Sequence, residues 1–302
     1  MRVLILGMGV QGQKRKIIAK NDFFGSVDPY FQDANYKNYK DVPISSFDAA
    51  IISTPDNIKL ELIEYFLNNK KHILVEKPLL SSSSKNLKKL YQKAKKNNLL
   101  CYTAYNHRFE PHFVNMKNLI ESKKLGDIYT IRLFYGNGTA KLVKNSIWRD
   151  NGNGVLPDLG SHLLDTLKFW LGDIKGKIKI LSSRKFENRS FDNVVLYIDY
   201  KIFIQIEISL LMWKNHFSAD IIAKNGSAHI SSLCKWGPSK FTVRNRKFPS
   251  GIPDEKTIVL NKPDPTWQLE YDWFIKACKN PKIHNFGNID NDIWINDILN
   301  KL

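Results

Sequence analysis

Arg2-Val3-Leu4-Ile5-Leu6-Gly7-Met8-Gly9-Val10-Gln11-Gly12 is the stretch on which the reading of this chain turns. Arg2–Leu6 is rich in Leu and β-branched residues and predicts a short buried strand. It runs directly into a complete GxGxxG, and Gln13–Ala19 predicts a helix behind it. Each glycine answers a steric demand. Gly7 permits a tight turn, Gly9 lets a pyrophosphate approach the backbone, and Gly12 lets helix and strand pack closely. The first turn of the helix then offers N–H donors to phosphate. Strand, glycine turn and helix in this order predict a dinucleotide site. The same stretch has the look of a secretory leader. However, Gly7 and Gly9 break the apolar run, Gln11, Gln13, Lys14, Arg15 and Lys16 follow, and no small-residue cleavage site appears. It is read as mature structure.

Outward from this stretch, strand and helix signals alternate. Ala49–Ser53 is a second apolar run, ended by Thr54-Pro55, after which Asp56 opens a helix with Ile58, Leu62, Ile63, Phe66 and Leu67 on its apolar face. His72–Val75 is a further strand, halted at Lys77-Pro78, and Leu99–Tyr102 is the next. Between them Leu87, Leu90, Tyr91 and Ala94 recur at helical spacing, with lysines filling the opposite face. Phe23–Val27, interrupted by Gly25, is the weakest strand signal. This alternation predicts a doubly wound parallel sheet over residues 1–120. The pattern then changes. Ile128–Phe134 alternates as a strand, Asp158–Leu171 reads as a helix, and six strand signals follow: 177–181, 193–200, 203–211, 217–223, 227–230 and 256–260. Asn225-Gly226 marks a hairpin. Trp267–Cys278 and the segment 289–302 read as helices. Residues 121–302 are therefore expected to form an α+β domain on an open, mostly antiparallel sheet.

The chain has 302 residues, enough for two domains, and 43% are apolar, which excludes a disordered chain. No apolar run approaches the roughly 18 residues of a membrane helix, so no membrane partner is expected. Lys and Arg number 46 against 29 Asp and Glu, a net +17. Only nine of the basic residues are Arg, and the lysines form no stripe, so nucleic acid is not expected as a partner. The positive field favours anionic small molecules. Cys101, Cys234 and Cys278 are far apart, without a CxxC pair, which suggests a reducing cytoplasm.

Beyond the glycine turn, three sets of residues carry chemistry. Asp28 follows the second strand, where a carboxylate bonds a ribose 2′-hydroxyl and repels a 2′-phosphate, favouring NAD over NADP. Glu76-Lys77-Pro78 lies at the carboxyl end of a parallel strand, where such sheets bind ligands. A lysine there can stabilise a developing alkoxide. Asp158 and His162 fall four apart behind Pro157 on one helix face, so that the carboxylate can orient the imidazole as a base. Asp165 shares that face. The same spacing suits a metal, but no third ligand can be picked out, and none is expected.

GMGVQG, TPDN, EKP, YNHRFEP, IWRD and NGNGVLPDLGSHLLD occur here in the order and spacing of the Gfo/Idh/MocA oxidoreductases, from Met1 to about Leu171. The chain resembles that family, and the strand-rich remainder fits it in layout. The resemblance implies a Rossmann domain, then an α/β domain whose sheet often joins a homodimer or homotetramer. It implies that Lys77, Asp158 and His162 are the catalytic set and that Lys77–Pro78 is cis. It also implies that Gly7, Gly9, Val10, Gln11, Gly12, Asp28, Thr54, Pro55, Glu76, Lys77, Asn106 and Arg108 hold NAD. Tyr105, Trp148 and Arg149 join the catalytic residues around the substrate. In the implied cycle His162 takes a hydroxyl proton and Lys77 steadies the alkoxide. Asp158 supports the imidazole, and the carbon gives a hydride to nicotinamide. With Arg149, Lys141 and Lys144 near the expected cleft, the anticipated substrate is a nucleotide-linked sugar of surface-polysaccharide or deoxysugar synthesis. A free sugar or inositol is the alternative, and a non-catalytic regulator the rival from another class. Two departures stand out: Lys59, where the family often has His, and Asn151-Gly152-Asn153-Gly154, where it often has three glycines.

Overall fold

The computed structural model describes residues 1–146 and 149–301. The chain divides into two compact units, Met1–Asn106 with Trp267–Asn300, and His107–Thr266.

The first unit contains β1 (Val3–Leu6), α1 (Val10–Ala19), β2 (Phe23–Val27), β3 (Ala49–Ile52), α2 (Asp56–Asn68), β4 (His72–Glu76), α3 (Ser84–Lys96) and β5 (Cys101–Ala104). The strands form one sheet in the order β2-β1-β3-β4-β5, with every pairing parallel. β1 and β3 are buried at every residue, as strands covered on both faces must be. Leu62, Ile63, Phe66 and Leu67 of α2 and Leu87, Leu90 and Ala94 of α3 supply one side of the core. Ser83 caps α3 by accepting from the Lys85 N–H. The weak signal at β2 has a physical cause. The register with β1 jumps from Val3↔Phe23 to Leu4↔Gly25, so one residue bulges out of the ladder and the alternation breaks there.

The second unit contains α4 (Pro111–Glu121), β6 (Ile128–Gly136), α5 (Ala140–Lys144), α6 (Ser161–Leu171), β7 (Lys177–Arg184), β8 (Asn193–Asp199), β9 (Phe203–Ser209), β10 (His216–Ala223), β11 (Gly226–Ser231), β12 (Ser239–Lys247) and β13 (Gly251–Leu260). Its sheet runs β13-β12-β11-β10-β6-β9-β8-β7, antiparallel except for the parallel pair β6–β9. Val194, Leu196 and Ile198 alternate inward on β8, and Ile204, Ile206 and Ile208 on β9. Trp170 of α6 donates its indole N–H to the Phe113 carbonyl of α4 at 3.0 Å. The expected α+β domain is present, but β12 was not foreseen and β13 starts five residues earlier than its signal. Along β13 nine of ten residues are exposed, so no buried face imposes the alternation that marks a strand in sequence.

The expected division at residue 120 is corrected. The chain leaves the first unit after Asn106, and α7 (Thr266–Ala277) and α8 (Ile289–Leu299) bring it back. α8 and the turn before it are tied to β5. Asn288 accepts the Thr103 N–H at 2.7 Å and donates to its carbonyl at 2.9 Å. Asp292 accepts the Thr103 and Tyr105 hydroxyls at 2.6 and 3.1 Å. Ile289 is part of the first unit's core.

Candidate active site

The glycine turn is built as its sequence requires. Gly7 has φ +83°, and a Cβ there would come 2.6 Å from the Ser53 carbonyl oxygen. At Gly12 a Cβ would meet the Gly7 oxygen at 1.8 Å, so α1 packs against the turn with no room for a side chain. A Cβ at Gly9 would meet nothing within 4 Å, leaving the backbone open to an approaching group. Val10 and Gln11 begin α1, whose N-cap Gly9 supplies no side-chain acceptor. The first-turn N–H groups are thus left to a ligand. Beside the turn, at the end of β3, the Ser53 and Thr54 hydroxyls are buried without a hydrogen-bond partner among the described residues. Pro55 precedes α2. An open glycine, an N-terminus without a side-chain cap and two orphaned hydroxyls fit the pyrophosphate of a dinucleotide.

Asp28 directly follows β2. Its Oδ2 accepts the Met8 N–H at 2.7 Å, and its Oδ1 accepts those of Tyr30 and Phe31 at 2.8 and 2.9 Å. Burial pushes this carboxyl up, but the three backbone donors, with Lys37, outweigh it and hold it below the usual carboxylate range. Asp28 therefore places a fixed negative charge on the glycine turn.

β4 delivers the next group. The Lys77–Pro78 bond is cis, as the resemblance implied. Glu76 has an internal partner where a cofactor contact was expected. Its Oε1 accepts from Arg15 Nε at 2.7 Å, and Arg15 Nη2 forms ion pairs with the same oxygen at 2.7 Å and with Glu270 Oε2 at 2.8 Å. Arg15 is 1% exposed. Burial lowers its proton affinity, but Glu76 and Glu270 reverse that and raise it. Lys59, the departure from the family pattern, is 3% exposed. Its Nζ donates to the Glu76 and Pro78 carbonyls at 2.7 and 3.0 Å and pairs with Asp56 at 2.6 Å. Burial lowers its pKa against the opposing pull of Asp56. Tyr105, expected at the substrate, is 1% exposed with its hydroxyl on Asp292, so it too has an internal partner. Asn106 is the last residue before the chain leaves this unit, and it is buried.

The second unit presents the imidazole. Asp158 lies in a π-helical turn, Leu156–Gly160, that runs into α6, so the expected single α-helical face is not the geometry found. Such turns recur at functional sites. Asp158 Oδ2 accepts from Arg149 Nη2 at 3.0 Å. His162 is 6% exposed, not a surface residue. Its ring stacks on that of His107 at 4.0 Å between centroids, and Tyr135 stands edge-on at 6.2 Å. Arg108 forms a fork on Asp165, with Nε to Oδ2 at 2.8 Å and Nη2 to Oδ1 at 2.6 Å. This gives it a partner within its own unit where a cofactor contact was expected. Trp148 lies outside the described residues. Among those described, no group of three or more His, Cys, Asp or Glu is placed to hold a metal ion.

Sequence reasoning missed Arg15, Lys59 as a structural donor, and His107. Arg15 and Lys59 read as polar helix-face residues because their partners are distant in sequence. His107 was the findable one, since it lies inside YNHRFEP and beside Arg108.

Two family models match this chain. One, described as "Oxidoreductase family, NAD-binding Rossmann fold", covers residues 24–105, and the "GFO/IDH/MocA C-terminal domain" covers 113–229. The chain belongs to the Gfo/Idh/MocA oxidoreductase family. Its first unit is of the NAD-binding kind, and NAD is the cofactor the glycine turn and Asp28 fit. An uncharacterized oxidoreductase of Schizosaccharomyces pombe is 33% identical over 124 residues, 40% of this chain. The chain spans about a third of that protein's length, 33%. The scyllo-inositol 2-dehydrogenase (NAD(+)) of Bacillus subtilis is 26% identical over 254 residues, 80% of this chain and 71% of that one. Among solved structures, an inositol dehydrogenase homolog from Azotobacter vinelandii, complexed with NADH and myo-inositol, superposes with a TM-score of 0.79. It does so at 16% identity over 99% of this chain and 93% of its own. That likeness establishes the fold.

Proposed function

We propose that this chain is an NAD-dependent oxidoreductase that interconverts a hydroxyl and a keto group on a free sugar or inositol. One observation carries the reading. On an NAD-binding family fold, the sequence carries all three of Lys77, Asp158 and His162, and within the second unit His162 is buried and fixed by stacking on His107 at the start of α6. NAD, when bound, supplies the hydride acceptor. His162 takes the proton of the substrate hydroxyl. Lys77 supplies positive charge to the oxygen as it becomes an alkoxide. Asp158, paired with Arg149, keeps a carboxylate close to the imidazole's helix turn. A regulator without chemistry has no use for all three groups.

The nucleotide-linked sugar anticipated from charge is the weaker substrate. Arg149 was one of the three cations behind it, and its guanidinium is paired with Asp158. The similar proteins are named for scyllo-inositol, levoglucosan and glucose 6-phosphate, which favours free polyols and simple sugars. A homo-oligomer through the eight-stranded sheet and a cytoplasmic setting belong to the same reading. Among the described residues no helix is long and apolar enough to cross a membrane.

The test is one plate of purified protein with NAD against inositols, free hexoses, anhydrosugars, hexose phosphates and nucleotide sugars, read by NADH fluorescence. Signal with inositols or free sugars is the expected outcome. Signal confined to nucleotide sugars restores the earlier expectation. Silence in both directions of reaction, with NADH still bound, favours the regulator.

A further inference from the structure

We propose that Lys59 is a positioning residue for Lys77. Its buried ammonium clamps the two carbonyls that bracket Lys77 and so fixes where the catalytic ammonium is presented.

The donor is unusual. A lysine is almost never fully buried unless it is paired, and this one sits 3% exposed on α2. Its three short contacts have one geometrical effect. Glu76 O at 2.7 Å and Pro78 O at 3.0 Å lie immediately before and after Lys77, while Asp56 at 2.6 Å, one turn back on α2, balances the charge. A strand end leaves backbone carbonyls without ladder partners, and buried carbonyls left that way are costly. One ammonium carries three donors, enough to meet all three oxygens. The other side of the turn is held independently, since the Glu76 side chain is locked by Arg15 of α1. Lys77 is thus presented from a turn gripped through its backbone by α2 and through its preceding side chain by α1.

The inference rests on the activity proposed for Lys77. The clamp itself can be tested without that activity. Full-length Lys59→Met, Lys59→Gln and Lys59→Arg variants are compared with wild type in three measurements. The first is amide hydrogen exchange of the peptide spanning residues 76–81 in protein without cofactor. The second is the NADH Kd, and the third is kcat and KM with the substrate found above. In Lys59→Met the 77–81 amides are expected to exchange about tenfold faster while peptides of the second unit do not change. The kcat is expected to fall about 100-fold, the loss typical of a small misplacement of a reacting group, with KM and the NADH Kd within about threefold. Lys59→Arg keeps the donors and is expected to recover most of both. Unchanged exchange in a folded Met variant overturns the clamp, and so does an unchanged kcat. If Met does not fold, Gln, which keeps an amide donor on a shorter stem, is judged by the same criteria. Wild type without turnover on any substrate sinks the activity reading, and the exchange measurement then decides the clamp alone.

Discussion

Three cations in the first unit show how one sign of charge comes to do different work. Lys77 follows the strand end. Lys59 donates to main-chain carbonyls, and Arg15 lies between Glu76 and Glu270. Only Lys77 was readable in the sequence, because EKP is local, whereas Lys59 lies 17 residues and Arg15 61 residues from their acceptors at Glu76. The glycine turn and Asp28 were legible for the same reason, each answering a steric or charge demand within a few residues of itself. His162 yields the sharpest prediction at this scale. His162→Ala should lower kcat by about 10²–10⁴-fold, the usual worth of general base help, with the NADH Kd within about twofold. Equal losses in both would end its assignment as base. Asp28 yields another. Its folded pKa is held below the usual value, so its charge persists above the ordinary carboxylate range and is lost only as pH falls through the depressed value. Asp28 should therefore add no slope of its own to the preference for NADH over NADPH from about pH 8 to about pH 5, above the ordinary Asp value, so any slope there follows the 2′-phosphate's own ionisation at about pH 6. In Asp28→Ala the preference should narrow by at least about tenfold, as loss of a charge facing a 2′-phosphate requires. Titrations of both nucleotides at the two pH values check this, and a preference that survives the substitution removes Asp28 from the discrimination.

Elements were legible in proportion to how completely they are buried. β1, β3 and β4 announced themselves as short apolar runs because the parallel sheet covers both their faces. α3 was legible from its apolar stripe. β2 was faint because a bulge interrupts it, while β12 buries only Ser239 and Phe241 at its start and β13 is exposed almost throughout, so neither sustains an alternation. The ends of the chain misled in another way. Helicity over 267–278 and 289–302 was visible, but no local feature says which sheet a helix will serve. Asn288 and Asp292 fasten α8 to Thr103 and Tyr105, some 185 residues earlier. A fragment of residues 1–120 should therefore lack a stable fold, since it leaves the Thr103 and Tyr105 donors and the Ile289 site open. Residues 1–106 joined by a flexible linker to 267–300 should fold and bind NADH. Circular dichroism melts and NADH fluorescence of the two fragments distinguish them. A cooperative melt and NADH binding in 1–120 alone would show that the C-terminal helices are dispensable to the first unit.

At the scale of the molecule, the net charge of +17 first pointed to an anionic substrate. The pairing of Arg149 with Asp158 shows why a sum of charges is poor evidence about one site: the sum does not record which cations already have partners. The charge keeps a consequence that does not depend on the substrate, because NADH is itself an anion. A field of this sign raises the encounter rate of an anionic ligand and leaves the bound contacts unchanged. Salt at about 0.5 M shortens the screening length to a few ångströms, against about 20 Å or more near 0.02 M. The NADH association rate should accordingly fall several-fold between those conditions. Dissociation should change little, since the glycine turn, the α1 N-terminus and the Ser53 and Thr54 hydroxyls act at contact distance. Stopped-flow fluorescence separates the two rates. If salt instead accelerates dissociation and leaves association alone, the lysines hold the cofactor directly. The Lys-rich surface would then be part of the binding site rather than a background field.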